Sequence, residues 1–142
     1  MSRRQEIVDL ATDLKRFYQT CDPYKIAEIF GIRVLESDSC FKNFKAHAVK
    51  FSNYAPYIVI NAKYSDAAKK VLCAHELGHV LLHEGTVNNF SDVTHRINMT
   101  AEYEANLFAL ALLEDQENLN TPMEEITPYL LQNIVEDSVF MQ

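Results

Sequence analysis

Apolar positions recur at helical spacing near the start of the chain. Ile7, Leu10, Ala11, Leu14, Phe17 and Tyr18 share one face, so residues 4–19 are predicted to form an amphipathic helix. Asp22-Pro23 reads as an N-cap with proline in the first turn, and Gly31 as a stop, which places a short second helix at 23–30. From Ile32 to Glu36 the pattern changes to alternation, the period of a strand. Residues 44–51 and 57–60 also read as strands, joined by the turn Ser52-Asn53-Tyr54-Ala55-Pro56. Ser65 then caps a long helix from Asp66 to about Glu84, stopped by Gly85. A polar loop is expected over 86–99 and a helix over 101–113, capped by Thr100. Thr121-Pro122 and Thr127-Pro128 read as two more helix starts. Helices, a short antiparallel sheet, then helices again make an α+β pattern rather than an alternating βαβ one.

At 142 residues, with no repeat and no linker-like stretch, the chain reads as a single domain. Its motif core spans about 57–113, and a helical tail spans about 121–142. The apolar tail positions Leu130, Leu131, Ile134, Val135, Val139 and Phe140 either close the core or face a partner. The balance of 13 Lys and Arg against 20 Asp and Glu gives a net charge of −7. That argues against generic binding to a phosphate backbone, so no direct nucleic-acid partner is expected. No run of eighteen apolar residues exists to span a membrane. Cys21, Cys40 and Cys73 are odd in number and widely spaced, which does not suit a disulfide framework. No apolar signal core follows Met1-Ser2-Arg3-Arg4, because Glu6, Asp9 and Asp13 interrupt it. Together these place the protein in the cytoplasm.

The chemistry concentrates at His75-Glu76-Leu77-Gly78-His79. Two histidines at i and i+4 lie on one face of a helix, one turn apart, where both imidazoles reach one metal ion. Glu76 stands beside the first histidine, placed to act as general base on water at that ion. One zinc per chain is the expected occupant. Gly78 sits inside the predicted helix, where glycine costs about 1 kcal/mol relative to alanine. A close neighbour would explain it.

A catalytic zinc needs a third protein ligand and an open position. A metzincin would carry glycine at position 82 and histidine at 85, and Leu82 and Gly85 exclude that pattern. Glu102, Glu104, His83, His95 and Cys40 remain as candidates. Glu102 and Asn106 are i and i+4 on the next predicted helix and share a face, whereas Glu104 points elsewhere. Glu102 is therefore the preferred ligand, with Asn106 placed to hold a ligand imidazole from outside the metal's shell. His83, one turn beyond His79, is expected at the rim in a packing or solvent role. His95, with Arg96 beside it, Tyr103 and Tyr57 are candidates to stabilise a tetrahedral oxyanion. Cys73 is expected to face the core.

Tyr57-Ile58-Val59-Ile60-Asn61, the stretch from Ala74 to His83 (AHELGHVLLH) and the stretch from Glu102 to Ala109 (EYEANLFA) together resemble the ImmA/IrrE family of zinc metallopeptidases. The resemblance implies a small zincin-like domain of gluzincin type with the HExxH helix at its centre. It implies His75, His79 and Glu102 as zinc ligands and Glu76 as the catalytic residue. Asn106 takes the place of the second acidic residue of larger gluzincins. It also implies regulatory proteolysis. Members are often carried by phages or integrative elements and act against a helix-turn-helix repressor. The chain departs from the family at Leu112-Leu113-Glu114-Asp115, where Leu-Leu-Met-Pro is frequent. The short stretch after Ala109 leads to the expectation of a stand-alone repressor-cleaving type, without a fused sensor domain.

The expected function is therefore a zinc endopeptidase acting on an intracellular regulatory protein, an anti-repressor. A non-proteolytic zinc-containing docking module that regulates a repressor is the alternative, and a small-molecule zinc hydrolase the third. An open groove beside an exposed strand at 57–60 would favour a peptide substrate.

Overall fold

The computed structural model describes residues 2–38, 44–50, 54–83 and 95–140, without the side chains of 95–99 and 140. Local signals place most of its elements. Helix α1 (Arg3–Tyr18) opens where Ser2 Oγ accepts from the Gln5 amide at 3.1 Å. Helix α2 (Pro23–Ile29) opens where Asp22 Oδ1 accepts from the Tyr24 amide at 3.0 Å. Gly31, at φ +74°, occupies the left-handed region that a Cβ disfavours and turns the chain into strand β1 (Arg33–Ser37). Strands β2 (Ala46–Val49) and β3 (Tyr57–Asn61) complete a three-stranded sheet. Helix α3 (Asp66–Leu82) is capped by Ser65, whose Oγ accepts from the Ala68 amide at 3.1 Å. The expected stop at Gly85 lies outside the described residues.

The fold is α+β as expected, but the sheet is mixed. Its order is β1-β3-β2. β2 pairs with β3 antiparallel, Ala46 opposite Ile60 and Val49 opposite Tyr57. β1 runs parallel to β3, with Arg33 opposite Tyr57 and Ser37 opposite Asn61. Strand β3, whose exposure would have favoured a peptide added by strand pairing, is the central strand. Alternation identifies a strand and its buried face, but it carries no information on which neighbour the strand takes. Asn61 ties the end of β3 to the start of the hairpin. Its Nδ2 donates to the Phe44 carbonyl at 2.9 Å, and its Oδ1 accepts from the Lys63 amide at 3.0 Å.

Helix α4 (His95–Leu113) begins six residues earlier than its pattern predicted. Thr100 therefore lies inside the helix and does not cap it, and residues 95–99 are helical rather than loop. The rest of that expected loop, 86–94, lies outside the described residues. Short 3-10 turns follow at Gln116–Asn118 and Met123–Glu125, the second standing where a helix was expected after Pro122. Thr127 opens α5 (Pro128–Phe140), its Oγ1 accepting from the Leu130 amide at 3.3 Å. No helix among the described residues is long and apolar enough to cross a membrane.

Helix α3 is the hub, packing on α2, α4, α5, β2 and β3. Leu77 of α3, Ile58 and Ile60 of β3, Leu107, Phe108 and Leu112 of α4 and Leu131 of α5 are fully buried around it. The tail thus closes the core through Leu131 and Val139, while Leu130 is half exposed. Gly78 marks a close approach of α3 to α4. A Cβ built there would lie 3.2 Å from the Ala105 Cα and 3.2 Å from the Phe108 Cβ.

Two measurements check this packing. Gly78→Ala gains about 1 kcal/mol of helix propensity but forces α4 outward, an overpacking cost of about 1–3 kcal/mol. We expect a net loss of up to about 2 kcal/mol in denaturant unfolding, and a variant more stable than the wild type would contradict the close approach. Cys73 is buried, its thiol pushed up by that burial, whereas Cys21 is exposed. Iodoacetamide at neutral pH should label Cys21 and spare Cys73 in the folded chain, as read by peptide mass. Equal labelling would contradict that burial.

Candidate metal centre

One turn of α3 and one turn of α4 face each other across the Gly78 contact. His75 and His79 project from α3, and Glu102 and Asn106 from α4. The Nε2 atoms of His75 and His79 lie 3.2 Å apart. Glu102 Oε1 is 2.8 Å from His79 Nε2, and Oε2 is 3.0 Å from His75 Nε2. Ligands on a tetrahedral zinc at ~2.0–2.1 Å stand roughly 3.3 Å from one another. The three side chains are thus spaced as a ligand set. Glu76, nearly buried, holds an oxygen 3.8 Å from His75 Nε2, beside that set. The potential ligand atoms of His75, Glu76 and His79 all fall within 4.8 Å of one another.

The hydrogen bonds outside the set orient its rings. His75 Nδ1 donates to Asn106 Oδ1 at 2.7 Å, so Nε2 is the nitrogen directed inward. His83 is not a solvent residue. Its ring tilts against that of His79, centroids 5.2 Å apart, and its Nδ1 lies 3.1 Å from His79 Nδ1. Glu104 faces away from the inward nitrogens, as its position predicted, and its Oε1 lies 2.9 Å from His83 Nε2. Arg3 of α1 donates to both oxygens of Glu104, from Nε at 3.1 Å and from Nη2 at 3.3 Å.

Charge follows this wiring. Burial pushes the Glu102 carboxyl up, but hydrogen bonds with His75 and His79 outweigh it and hold the group far below the usual carboxylate range. Burial works against charge on His75 as well. There the Glu102 hydrogen bond, the Glu76 and Glu102 charges and the Asn106 oxygen reverse it and leave the imidazole raised. His83 goes the other way. Burial, with His79 alongside, keeps its imidazole lowered although Glu104 opposes the shift. Glu104 is lowered, because Arg3 and His83 outweigh its burial. The centre thus favours positive charge between the two inward nitrogens and the carboxylates, the electrostatic demand that a divalent cation meets.

A cleft of about 490 Å³ opens onto these residues. Lys45, Ala46 and His47 of the β2 segment line it on one side, and Pro128, Gln132, Val135, Glu136 and Val139 of α5 on the other. Neither wall was read from the sequence as part of the site. Both are brought there by long-range packing that no local motif announces. Strand β3 is paired on both sides, so 57–60 is not an exposed strand beside the cleft. Tyr103 borders the cleft, but its hydroxyl donates to the Ile126 carbonyl at 3.0 Å and it is nearly buried. Tyr57 pairs with Val49 at the far end of the hairpin and does not line the cleft. The side chains of His95 and Arg96, and the whole of Cys40, lie outside the described residues.

Comparison with known proteins places this centre in context. Residues 27–131 match the Peptidase M78 family, described as the IrrE N-terminal-like domain. The chain is 32% identical over 97 residues to "Uncharacterized immunity region protein 2" of Bacillus phage phi105. That alignment covers 68% of this chain and spans 60% of the relative's length. No solved structure matches. The match takes in β1 to β3, all of α3 and α4, and every residue of the facing His75, His79, Glu102 and Asn106 set, and so the chain belongs to the Peptidase M78 (IrrE N-terminal-like) family.

Proposed function

We propose that the chain is a zinc-dependent endopeptidase that cleaves a regulatory protein in the cytoplasm, with a helix-turn-helix transcriptional repressor as its substrate class. One observation carries the reading. Two imidazole nitrogens and a carboxylate converge at 2.8–3.2 Å, with the Glu76 carboxylate beside them and a cleft in front. Zinc held by His75, His79 and Glu102 supplies the Lewis acid that polarises a scissile carbonyl and acidifies water. Glu76 takes the proton from the attacking water and returns it to the leaving amine. Asn106 holds His75 with its Nε2 inward, where it would serve as the ligand atom. Membership of a peptidase family favours a polypeptide over a small molecule as the substrate. The phage relative is named for an immunity region, and that name supports a regulatory protein as the partner.

The test is cleavage of a purified repressor encoded beside the chain, with Glu76→Gln as control. We expect discrete fragments with the zinc-loaded wild type, a loss of at least about 10²-fold in Glu76→Gln, and zinc content unchanged in that variant. Regulation of the repressor by Glu76→Gln at wild-type strength, without cutting, would instead establish a docking module. Glu102→Ala should lose most of its zinc at equal chelator concentration. Tyr103 we assign to structure. Tyr103→Phe should cost about 1 kcal/mol of stability through its hydrogen bond to Ile126 and keep cleavage within threefold of wild type. A hundredfold loss of cleavage in that variant would make Tyr103 a transition-state group instead.

A further inference from the structure

His83, Glu104 and Arg3 form a cluster that the proposed reaction does not use. They join the C-terminal end of α3, the middle of α4 and the start of α1. When the inward nitrogens serve a metal ion and the rings are neutral, these contacts run in one direction. Glu104 is ionised and only accepts, so the His83 nitrogen that meets it at 2.9 Å, Nε2, carries the proton. The other nitrogen of a neutral ring, Nδ1, is then an acceptor. It lies 3.1 Å from His79 Nδ1, which must donate to it. In that metal-bound state the unprotonated nitrogen of His79 is Nε2, the atom that faces His75 and Glu102. Arg3, donating to both Glu104 oxygens, anchors the far end of the chain.

We propose that His83 and Glu104, anchored by Arg3, are positioning residues that fix the ring orientation and tautomer of His79 as a metal ligand. This rests on the metal-centre reading given above. Asn106 does the same for His75 in one step, so each histidine ligand is held from outside by an acceptor on Nδ1. The His79 arm is longer and ends in a carboxylate, which makes the imidazole more basic as well as oriented. Outer partners of this kind are worth about 10–100-fold in metal affinity. A histidine that merely packs at the rim would influence stability and leave affinity alone.

The test is zinc affinity, measured by competition with a chromophoric chelator, together with thermal melts of the metal-free chain. His83→Phe keeps the ring's bulk and removes the acceptor, and should bind zinc about 10–100-fold more weakly than wild type. Glu104→Leu should show a loss of the same order, while Glu104→Gln, which keeps an oxygen for His83 Nε2–H, should recover most of it. Nitrogen-15 NMR of the zinc-loaded wild type should report His83 with its proton on Nε2. Wild-type affinity in a folded His83→Phe overturns the relay and leaves the metal centre standing, as does a His83 proton found on Nδ1. If His83→Phe fails to fold, wild-type affinity in Glu104→Leu overturns the relay instead. A wild type that binds no zinc overturns the metal centre and the relay together.

Discussion

The width of one methyl group between α3 and α4 decides whether this site exists. Gly78 lies between His75 and His79 on α3, and the atoms its missing Cβ would meet belong to Ala105 and Phe108 on α4. Ala105 in turn lies between Glu102 and Asn106. This close helix contact therefore falls within both ligand-bearing turns. Wider spacing would pull the Glu102 oxygens off the histidine nitrogens, now 2.8 and 3.0 Å away, and break the 2.7 Å bond from His75 to Asn106. The propensity cost of glycine inside a helix, about 1 kcal/mol, is offset by that geometry and by the burial of Leu77, Leu107 and Phe108 around it.

What the close approach brings together is electrostatically demanding. Two imidazole nitrogens and a carboxylate point at one small volume, with a second carboxylate at its side. Such a cluster is stable only if its outer hydrogen bonds are settled and positive charge is available inside. The outer bonds are settled by Asn106 on one arm and by His83 and Glu104 on the other. The cleft in front is walled by α5 and the β2 segment, elements far apart in sequence that α3 holds in place by packing on both.

Much of this was legible in the sequence because it is local. Ser65, Asp22-Pro23, Gly31 and Thr127 act through atoms two or three residues away, and their helices begin or end where those signals stand. The i, i+4 spacing put His75 with His79 and Glu102 with Asn106, and both pairs face each other. The same spacing applies to His79 and His83, yet distance along the helix made His83 look like a rim residue. Nδ1-to-Nδ1 contact needs only one turn, so the signal was present. Glu104 was set aside because it lies two positions from Glu102, off the ligand face. That offset is what lets it reach His83, one turn further along α3. Thr100 illustrates the opposite error, since a residue able to cap can also sit within a helix whose periodicity extends past it. The parallel pairing of β1 with β3 and the α5 wall of the cleft were not legible, because both depend on contacts that no local pattern encodes.

The central claim is a ligand set of two imidazoles and one carboxylate with an open position. Zinc K-edge X-ray absorption on the zinc-loaded wild-type chain tests it most directly. The account predicts four nitrogen and oxygen neighbours at about 2.0–2.1 Å, with outer-shell scattering from two imidazole rings. A sulfur neighbour at about 2.3 Å, which would bring in Cys40, or a third imidazole in place of Glu102, would contradict it.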